Sequence, residues 1–213
     1  ANLASIQWWE WAALPLGFIA YQVAEYLLHA HVMHRPRKNP MLRALYIRHT
    51  LMHHQFFTTE EMRFADHYDW RVTFFPPFTM ILLTILSSMP SLLAGAVVSA
   101  NFGWLLMSAF TASYMFYEFI HFCCHVDDNL LMRNLPIVNT ARRHHMAHHD
   151  HALMMEVNMG IGTPIIDWAL GTSDLKRGLL GHIFKGGSTK HVRSDLRKTA
   201  RTPKVSLSRL ARP

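Results

Sequence analysis

The stretch Arg142–His151 reads RRHHMAHHDH, with histidine at five of its ten positions. His145, His148 and His149 form an H-x-x-H-H group, and His144 adds a second frame, H-x-x-x-H-H. On a helix, residues three and four apart share a face, whereas neighbours diverge by about 100°. An adjacent pair such as His148 and His149 can therefore serve two centres, with His145 closing on one of them. Imidazole suits zinc, copper, iron and nickel. A solvated histidine tract would look the same in isolation, so the reading turns on what the rest of the chain supplies.

It supplies three more groups: His29 with His34; His49 with His53 and His54; and His121 with His125. One metal takes about four to six ligands, so these ten imidazoles imply two metals. The pairs His49/His53 and His121/His125, four apart, each present both rings to one face, while His53/His54 and His148/His149 divide between the centres. His29 and His34, five apart, stand about 140° apart on an ideal α-helix and reach one site only if the helix loosens near its end. His31 is a lower-ranked substitute in that group. His67, His151, His182 and His191 are isolated and read as solvent-facing or hydrogen-bonded. Glu25 lies four residues before His29 and Glu118 three before His121, in apolar surroundings where an ionisable group is costly. Each is expected to accept the second ring N–H of a ligand histidine and orient it. Asp150 and His144 are candidates for the same outer role.

The elements that must position these groups follow from charge and hydropathy. All 21 Lys and Arg fall in Arg35–Arg71 or from Arg133 onward, leaving residues 1–34 and 72–132 without a single cation. The positive-inside rule places both basic segments, and with them the histidines, on the cytoplasmic side. A first span is expected from Trp11 to about Leu28, with Trp8, Trp9 and Trp11 as an aromatic belt at the outer interface. Met41–Phe57 is basic and amphipathic and reads as a helix on the membrane surface. Val72–Met89 is the second span, with a kink or restart at Pro76 and Pro77. Met89-Pro90-Ser91 reads as a tight turn. Leu92–Phe122 then forms one helix of about 46 Å that outruns a bilayer core of about 30 Å and projects on the cytoplasmic side. Asn158–Thr172, NMGIGTPIIDWALGT, reads as a turn followed by a short interfacial helix. From Lys185 to Pro213, nine Lys or Arg face one acid, Asp195, which suggests a disordered tail drawn to anionic headgroups. The adjacent Cys123 and Cys124 suit neither a disulfide with each other nor a Cys-rich zinc site. The expected fold is all-α: an integral membrane helical bundle of about three spans over residues 1–184, carrying a cytoplasmic helical cap with a histidine-rich dimetal site, and a tail over residues 185–213.

Over residues 25–172 this arrangement resembles the fatty acid hydroxylase/sterol desaturase superfamily of membrane di-iron enzymes. The four histidine groups carry the resemblance together with Asn158–Thr172, which looks like that family's N-x-G-x-x-T-P-x-x-D-x-x-x-G-T ending. One departure is the H-x-x-x-H-H spacing of His49, His53 and His54, where many members have H-x-x-H-H. The resemblance implies two irons held by His29, His34, His49, His53, His54, His121, His125, His145, His148 and His149. Dioxygen would be the co-substrate, and an unactivated C–H bond of a membrane lipid or fatty acyl chain would be hydroxylated. Such a bond demands a metal that changes oxidation state, so iron is the working metal even where zinc replaces it in a purified sample. No H-P-G-G haem-binding signature of a fused cytochrome b5 domain is present, so electrons are expected from a separate ferredoxin or cytochrome b5 with its reductase, docked on the basic face. The setting would be a bacterial inner membrane or the endoplasmic reticulum.

Three other readings compete. A carotenoid-ring hydroxylase shares the histidine layout, but Asn158–Thr172 favours the fatty acid branch. A lipid desaturase is a close variant, because it also begins by hydrogen abstraction. A non-catalytic membrane metal-binding or transport protein would place polar ligands near the membrane midplane, whereas here every group lies toward one face. No H-E-x-x-H occurs, which disfavours a zinc hydrolase, and no nucleic-acid partner is expected.

Overall fold

A computed structural model describes residues 5–185 and 188–196. Among these the chain is helical, with no strand beyond one isolated antiparallel bridge between Leu175 and Val192. Helix α1, Ala13–Leu28, is entered through a 3-10 turn at Trp8–Ala12 and runs without a break into a π-helical turn at His29–Met33. Helix α2, Pro40–Tyr46, opens with proline in its first turn, and Asn39 Oδ1 caps it by accepting from the Met41 and Leu42 N–H groups at 3.0 and 3.3 Å. A second π-helical segment, Ile47–His53, leads into the single turn α3, His54–Phe56. The short α4, Trp70–Thr73, ends before Pro76 and Pro77, and α5, Phe78–Val97, restarts directly after them. Helix α6, Ala100–His125, is the longest element, and both α1 and α5 pack along it. The cap follows: α7 (Leu130–Asn134), α8 (Pro136–His148), α9 (Ile165–Leu170) and α10 (Leu179–Phe184).

The turn expected at Met89-Pro90-Ser91 is not there. Pro90 lies inside α5, and the chain reverses at Val98 and Ser99. The reversal is fixed by polar contacts that hydropathy does not reveal. Ser99 Oγ caps α6 by accepting from the Phe102 N–H at 3.1 Å. The buried Glu10 carboxylate accepts from Asn101 Nδ2 at 2.9 Å and from Ser99 Oγ, tying the start of the chain to this turn. Close packing just after Pro90 offsets the helical hydrogen bond it lacks. A Cβ on Gly103 would lie 2.6 Å from the Ser91 carbonyl oxygen and 2.7 Å from Gly95 Cα, so the α5 and α6 backbones nearly touch. Gly17 meets Ala109 in the same way where α1 crosses α6.

Helix α5 is apolar outward. Its buried residues are Ser87 and Ser91, whereas Ile81, Ile85, Leu86, Met89, Leu92 and Leu93 are exposed. Residues 67–97 form the one stretch among the described residues that is long and apolar enough to cross a membrane by length and composition. The cap packs on the end of α6 through Ile120, Cys123 and Cys124 against Val138 and Ala141. Both cysteines are free and buried.

Residues 188–196, inside the stretch expected as a disordered tail, pack on the cap. Leu196 is buried against Leu153 and Val157, Val192 bridges Leu175, and the Arg193 N–H donates to the Asp174 carbonyl at 3.0 Å. Two apolar side chains in a basic stretch were enough to dock it on the cap. Residues 197–213 lie outside the described residues.

Candidate metal centre

Two local features bring the histidines of α1 and α2–α3 to one place. The His34 N–H donates to the His29 carbonyl at 3.1 Å, and the His54 N–H donates to that of His49. These are i→i+5 bonds, the signature of π-helical turns. Such a bond stacks residues five apart on one face, where an α-helix would separate them by about 140°. The loosening required of His29 and His34 is therefore present, and it recurs at His49 and His54.

All ten candidate histidines are buried. The ligand nitrogens of His29, His34, His49, His54 and His148 lie within 4.8 Å of one another, as do those of His53, His121, His125 and His145. His149 joins the second set, its Nε2 standing 3.0 Å from His145 Nε2 and 3.2 Å from His53 Nε2. The adjacent pairs divide as their spacing suggests, His53 from His54 and His148 from His149. The pair His49/His53 does not share a set, because the π-helical register turns His49 toward His54 instead.

The protonation of these rings is fixed by their outer nitrogens. In the first set, His29 Nδ1 donates to the Met159 carbonyl at 2.5 Å and His148 Nδ1 to that of Val157 at 2.9 Å. In the second, His53, His125 and His149 donate through Nδ1 to the carbonyls of Val72, Met62 and Phe57 at 3.2, 2.8 and 2.6 Å. Thr50 Oγ1 donates to the Met33 carbonyl at 2.6 Å, which leaves a lone pair for His34 Nδ1 at 3.4 Å. A carbonyl can only accept, so each of these neutral rings carries its proton on Nδ1 and a lone pair on Nε2. Yet His34 Nε2 stands 3.0 Å from His29 Nε2 and 2.9 Å from His148 Nε2, and His53 Nε2 stands 3.2 Å from His149 Nε2. These are contacts between lone pairs, not hydrogen bonds. Only a shared cation makes such convergence favourable, and the donor set is one that a transition metal accepts.

Burial also keeps the rings neutral, as a ligand must be. It pushes His29 down to about 4. Burial, reinforced by the charges of neighbouring histidines, likewise drives His34, His49, His53, His54, His125, His145, His148 and His149 below the usual histidine range. Phe57 closes the second set against solvent, its ring stacked on His125 with centroids 4.0 Å apart.

Glu25 and Glu118, expected to orient ligand histidines, accept from other groups. Glu25 Oε1 accepts from the Ile161 and Gly162 N–H groups at 2.7 and 3.1 Å. It thus holds the loop whose Met159 carbonyl takes His29. Glu118 Oε1 accepts from Tyr114 Oη at 2.6 Å and from the Phe75 N–H at 3.4 Å, while His121 Nδ1 has no partner. Asp150 caps its own turn, accepting from the Ala152 N–H at 2.9 Å. For Glu25, backbone groups brought close by the fold compete with the histidine that is close in sequence; for Glu118, the Tyr114 hydroxyl does so as well. His144 is buried, with Nε2 3.3 Å from Asp167 Oδ2. Of the other histidines, His31 is exposed, and His182 is buried, 2.7 Å from Ser173 Oγ.

Asp167 is the site residue that spacing to the histidines did not reveal. It is fully buried, and it accepts from the Met159 N–H at 2.9 Å, the Gly160 N–H at 2.6 Å and Thr172 Oγ1 at 2.8 Å. Gly160 must lack a side chain, since a Cβ there would lie 2.5 Å from the Thr163 carbonyl oxygen. Asn158 adopts a left-handed φ of 59° and donates to the His144 carbonyl and to Asp174 Oδ1, each at 3.0 Å. Asp174 also takes Arg143 in a two-pronged pair at 2.7 and 2.9 Å. Burial alone would raise the Asp174 carboxyl, but these bonds outweigh it and hold it below the ordinary range. The signal available in the sequence was the Asn158–Thr172 segment itself, whose polar and glycine positions prove to be the scaffold behind His29, His148 and His144.

The family model for fatty acid hydroxylase matches residues 14–172. The chain belongs to the fatty acid hydroxylase family. No curated protein and no solved structure matches it significantly. The matched range runs from the start of α1 to Thr172, and so contains every candidate ligand and the loop behind them. The protein is thus a member of a hydroxylase family with a histidine cluster able to hold metal.

Proposed function

We propose that the protein is an oxygen-dependent hydroxylase of membrane lipids or fatty acyl chains that works with two irons. The observation that carries this reading is the pair of buried histidine sets, in which the Nε2 lone pairs of His29, His34, His148, His53, His125 and His149 turn inward. His29, His34, His49, His54 and His148 would hold one iron, and His53, His121, His125, His145 and His149 the other. The irons would supply the redox chemistry that reduces dioxygen and oxidises an unactivated C–H bond. The chain's own part is to fix that set. The carbonyls of Met159, Val157, Val72, Met62 and Phe57 hold the rings in one tautomer. Phe57 keeps water from the second set, and Asp167 and Glu25 hold the loop behind the first.

A membrane setting of about three spans, α1, α5 and the outer part of α6, is supported by the outward apolar face of α5 and by the exposed Leu16, Ile19, Val23 and Leu27 on α1. The absence of Lys and Arg from residues 1–34 and 72–132 favours a cytoplasmic cap. Electrons would come from a separate ferredoxin or cytochrome b5 and its reductase, and the basic segment beyond residue 185 would meet anionic headgroups. Comparative mass spectrometry of total lipids tests the reading. Expression with oxygen and a competent reductase should add the mass of one oxygen to a membrane lipid, and His148→Ala should abolish that product. Unchanged lipids under those conditions, with two metals tightly bound, would favour a metal-binding protein; a loss of two hydrogens would indicate a desaturase.

A further inference from the structure

One buried polar niche beside the loop behind the first set holds two polar atoms that take no part in fixing that loop. Gln22 and Glu25 sit three apart on one face of α1 and are 2 % and 8 % exposed. Gln22 Oε1 accepts from Thr163 Oγ1 at 2.7 Å, and Glu25 Oε1 is taken by the Ile161 and Gly162 N–H groups. Their second atoms, Gln22 Nε2 and Glu25 Oε2, have no partner. Both border one point. The position of a Cβ on Gly162 would lie 3.4 Å from Glu25 Oε2 and 3.6 Å from Gln22 Nε2, with no closer neighbour. Gly162 therefore leaves a carbon-sized space edged by one unpaired amide donor and one unpaired carboxylate acceptor. Burying two such groups unpaired is unfavourable. Glu25 lies one helical turn, about 5.4 Å, before His29, and the adjoining Ile161 packs with Tyr21, Tyr114 and Tyr117.

We propose that Gln22, Glu25 and Gly162 form a binding subsite for the hydroxyl group of an alcohol-bearing lipid. A hydroxyl can donate to Glu25 Oε2 while accepting from Gln22 Nε2, satisfying both. A hydrocarbon satisfies neither, and a fatty acid carboxylate, which only accepts, carries its charge away from water. The inference rests on the reading that the protein acts on lipids, and it narrows the substrate class to lipids that already carry an alcohol.

The test measures binding alone. The full chain in phosphatidylcholine nanodiscs is offered 1-hexadecanol, hexadecanoic acid or hexadecane, and the retained lipid is read by native mass spectrometry. One hydrogen bond's advantage predicts about tenfold stronger retention of the alcohol than of the alkane, with the acid also retained less than the alcohol. Gly162→Ala places a methyl in the niche at ordinary contact distance, so it should keep the unfolding midpoint while the alcohol falls to the level of the alkane. Glu25→Gln keeps one oxygen for the loop and turns the free acceptor into a donor, so preference should move from the alcohol to hexadecan-2-one, which only accepts. Equal retention of the three lipids by the wild type, the result expected of a niche that holds only water, overturns the proposal. Undiminished alcohol retention by Gly162→Ala does so as well. Since no oxidation is read, a failure here leaves lipid hydroxylation standing, and an inactive preparation leaves this result valid.

Discussion

On the two-iron reading proposed above, Asp167→Asn should release one metal and spare the other. The substitution keeps size and shape but replaces one carboxylate oxygen by an NH2. Oδ1 faces the Met159 N–H and Thr172 Oγ1, and Oδ2 faces the Gly160 N–H and His144 Nε2. Thr172 and His144 can each reverse from donor to acceptor, so whichever oxygen is lost, one backbone N–H is left without a partner. That costs about 1–3 kcal/mol. The surviving bonds fall from charge-assisted to neutral strength, adding about 1 kcal/mol. The sum, about 2–4 kcal/mol, falls on the loop whose Met159 and Val157 carbonyls hold His29 and His148, both of the first set. The carbonyls holding His53, His125 and His149 come from residues 57–72 and do not touch that loop. Removal of a group that orients a ligand commonly weakens metal binding by about 10–100-fold. Metal content per chain, measured after dialysis against graded chelator, should therefore drop in two separated steps in the variant, the first at about 10–100-fold less chelator. Denaturant unfolding of the metal-free chain should show the stability loss. If the variant keeps both metals at the wild-type chelator concentration and unfolds within about 0.5 kcal/mol of wild type, the loop does not hold the first set, and the reasoning fails.

Two further outcomes follow from the packing and from the burial of the rings. Gly103→Ala should lower the stability of the α5–α6 pair by about 1–3 kcal/mol, because its Cβ would meet backbone that cannot yield. Gly95→Ala, whose nearest neighbour would be 3.7 Å away, should be tolerated, and thermal unfolding in detergent separates the two. The metal-free protein should lose stability as pH falls below about 6.5. His29 is pushed down to about 4 by burial, so between these values the unfolded chain binds a proton that the folded chain refuses. His29 alone then contributes up to about 1.4 kcal/mol per pH unit, fully present above pH 6.5 and lost toward pH 4. Denaturant unfolding at pH 7 and pH 5 reads the slope, and a flat or opposite dependence would show that the rings are not buried as a neutral set.

What the sequence disclosed and what it concealed divide by the range of the interaction. Histidine is rare enough that four groups at helical spacing, on the basic side of the charge map, mark the site before any fold is known. Cys123 and Cys124 were equally plain, since a disulfide between neighbours is strained and rare, and both are free. Pro90 misled because a proline's cost is local and visible, while the contacts that keep it inside α5 are distant. Those contacts are Glu10 on Asn101, 91 residues apart, and Gly103 on Gly95. Glu25 and Glu118 misled for a related reason. Each lies within a turn of a histidine, but Glu25 is taken by the Ile161 and Gly162 N–H groups and Glu118 by Tyr114 and the Phe75 N–H. Five of the rings donate instead to main-chain carbonyls, which every residue carries and no sequence pattern marks.

The spacing that departs from the commoner H-x-x-H-H follows from local helix geometry. The segments that bring His29 to His34 and His49 to His54 are the π-helical turns at His29–Met33 and Ile47–His53. Each carries an extra residue in the turn, so that residues five apart share a face. His34 and His54 thereby meet His29 and His49, while His53 points to the other set. An H-x-x-x-H-H group on a π-helical segment is in this sense equivalent to a shorter spacing on a regular helix. Deleting Thr50 or Leu51 to restore H-x-x-H-H would not mend the pattern but move His49 away from its set, with the metal loss falling on the first set as it does for Asp167→Asn.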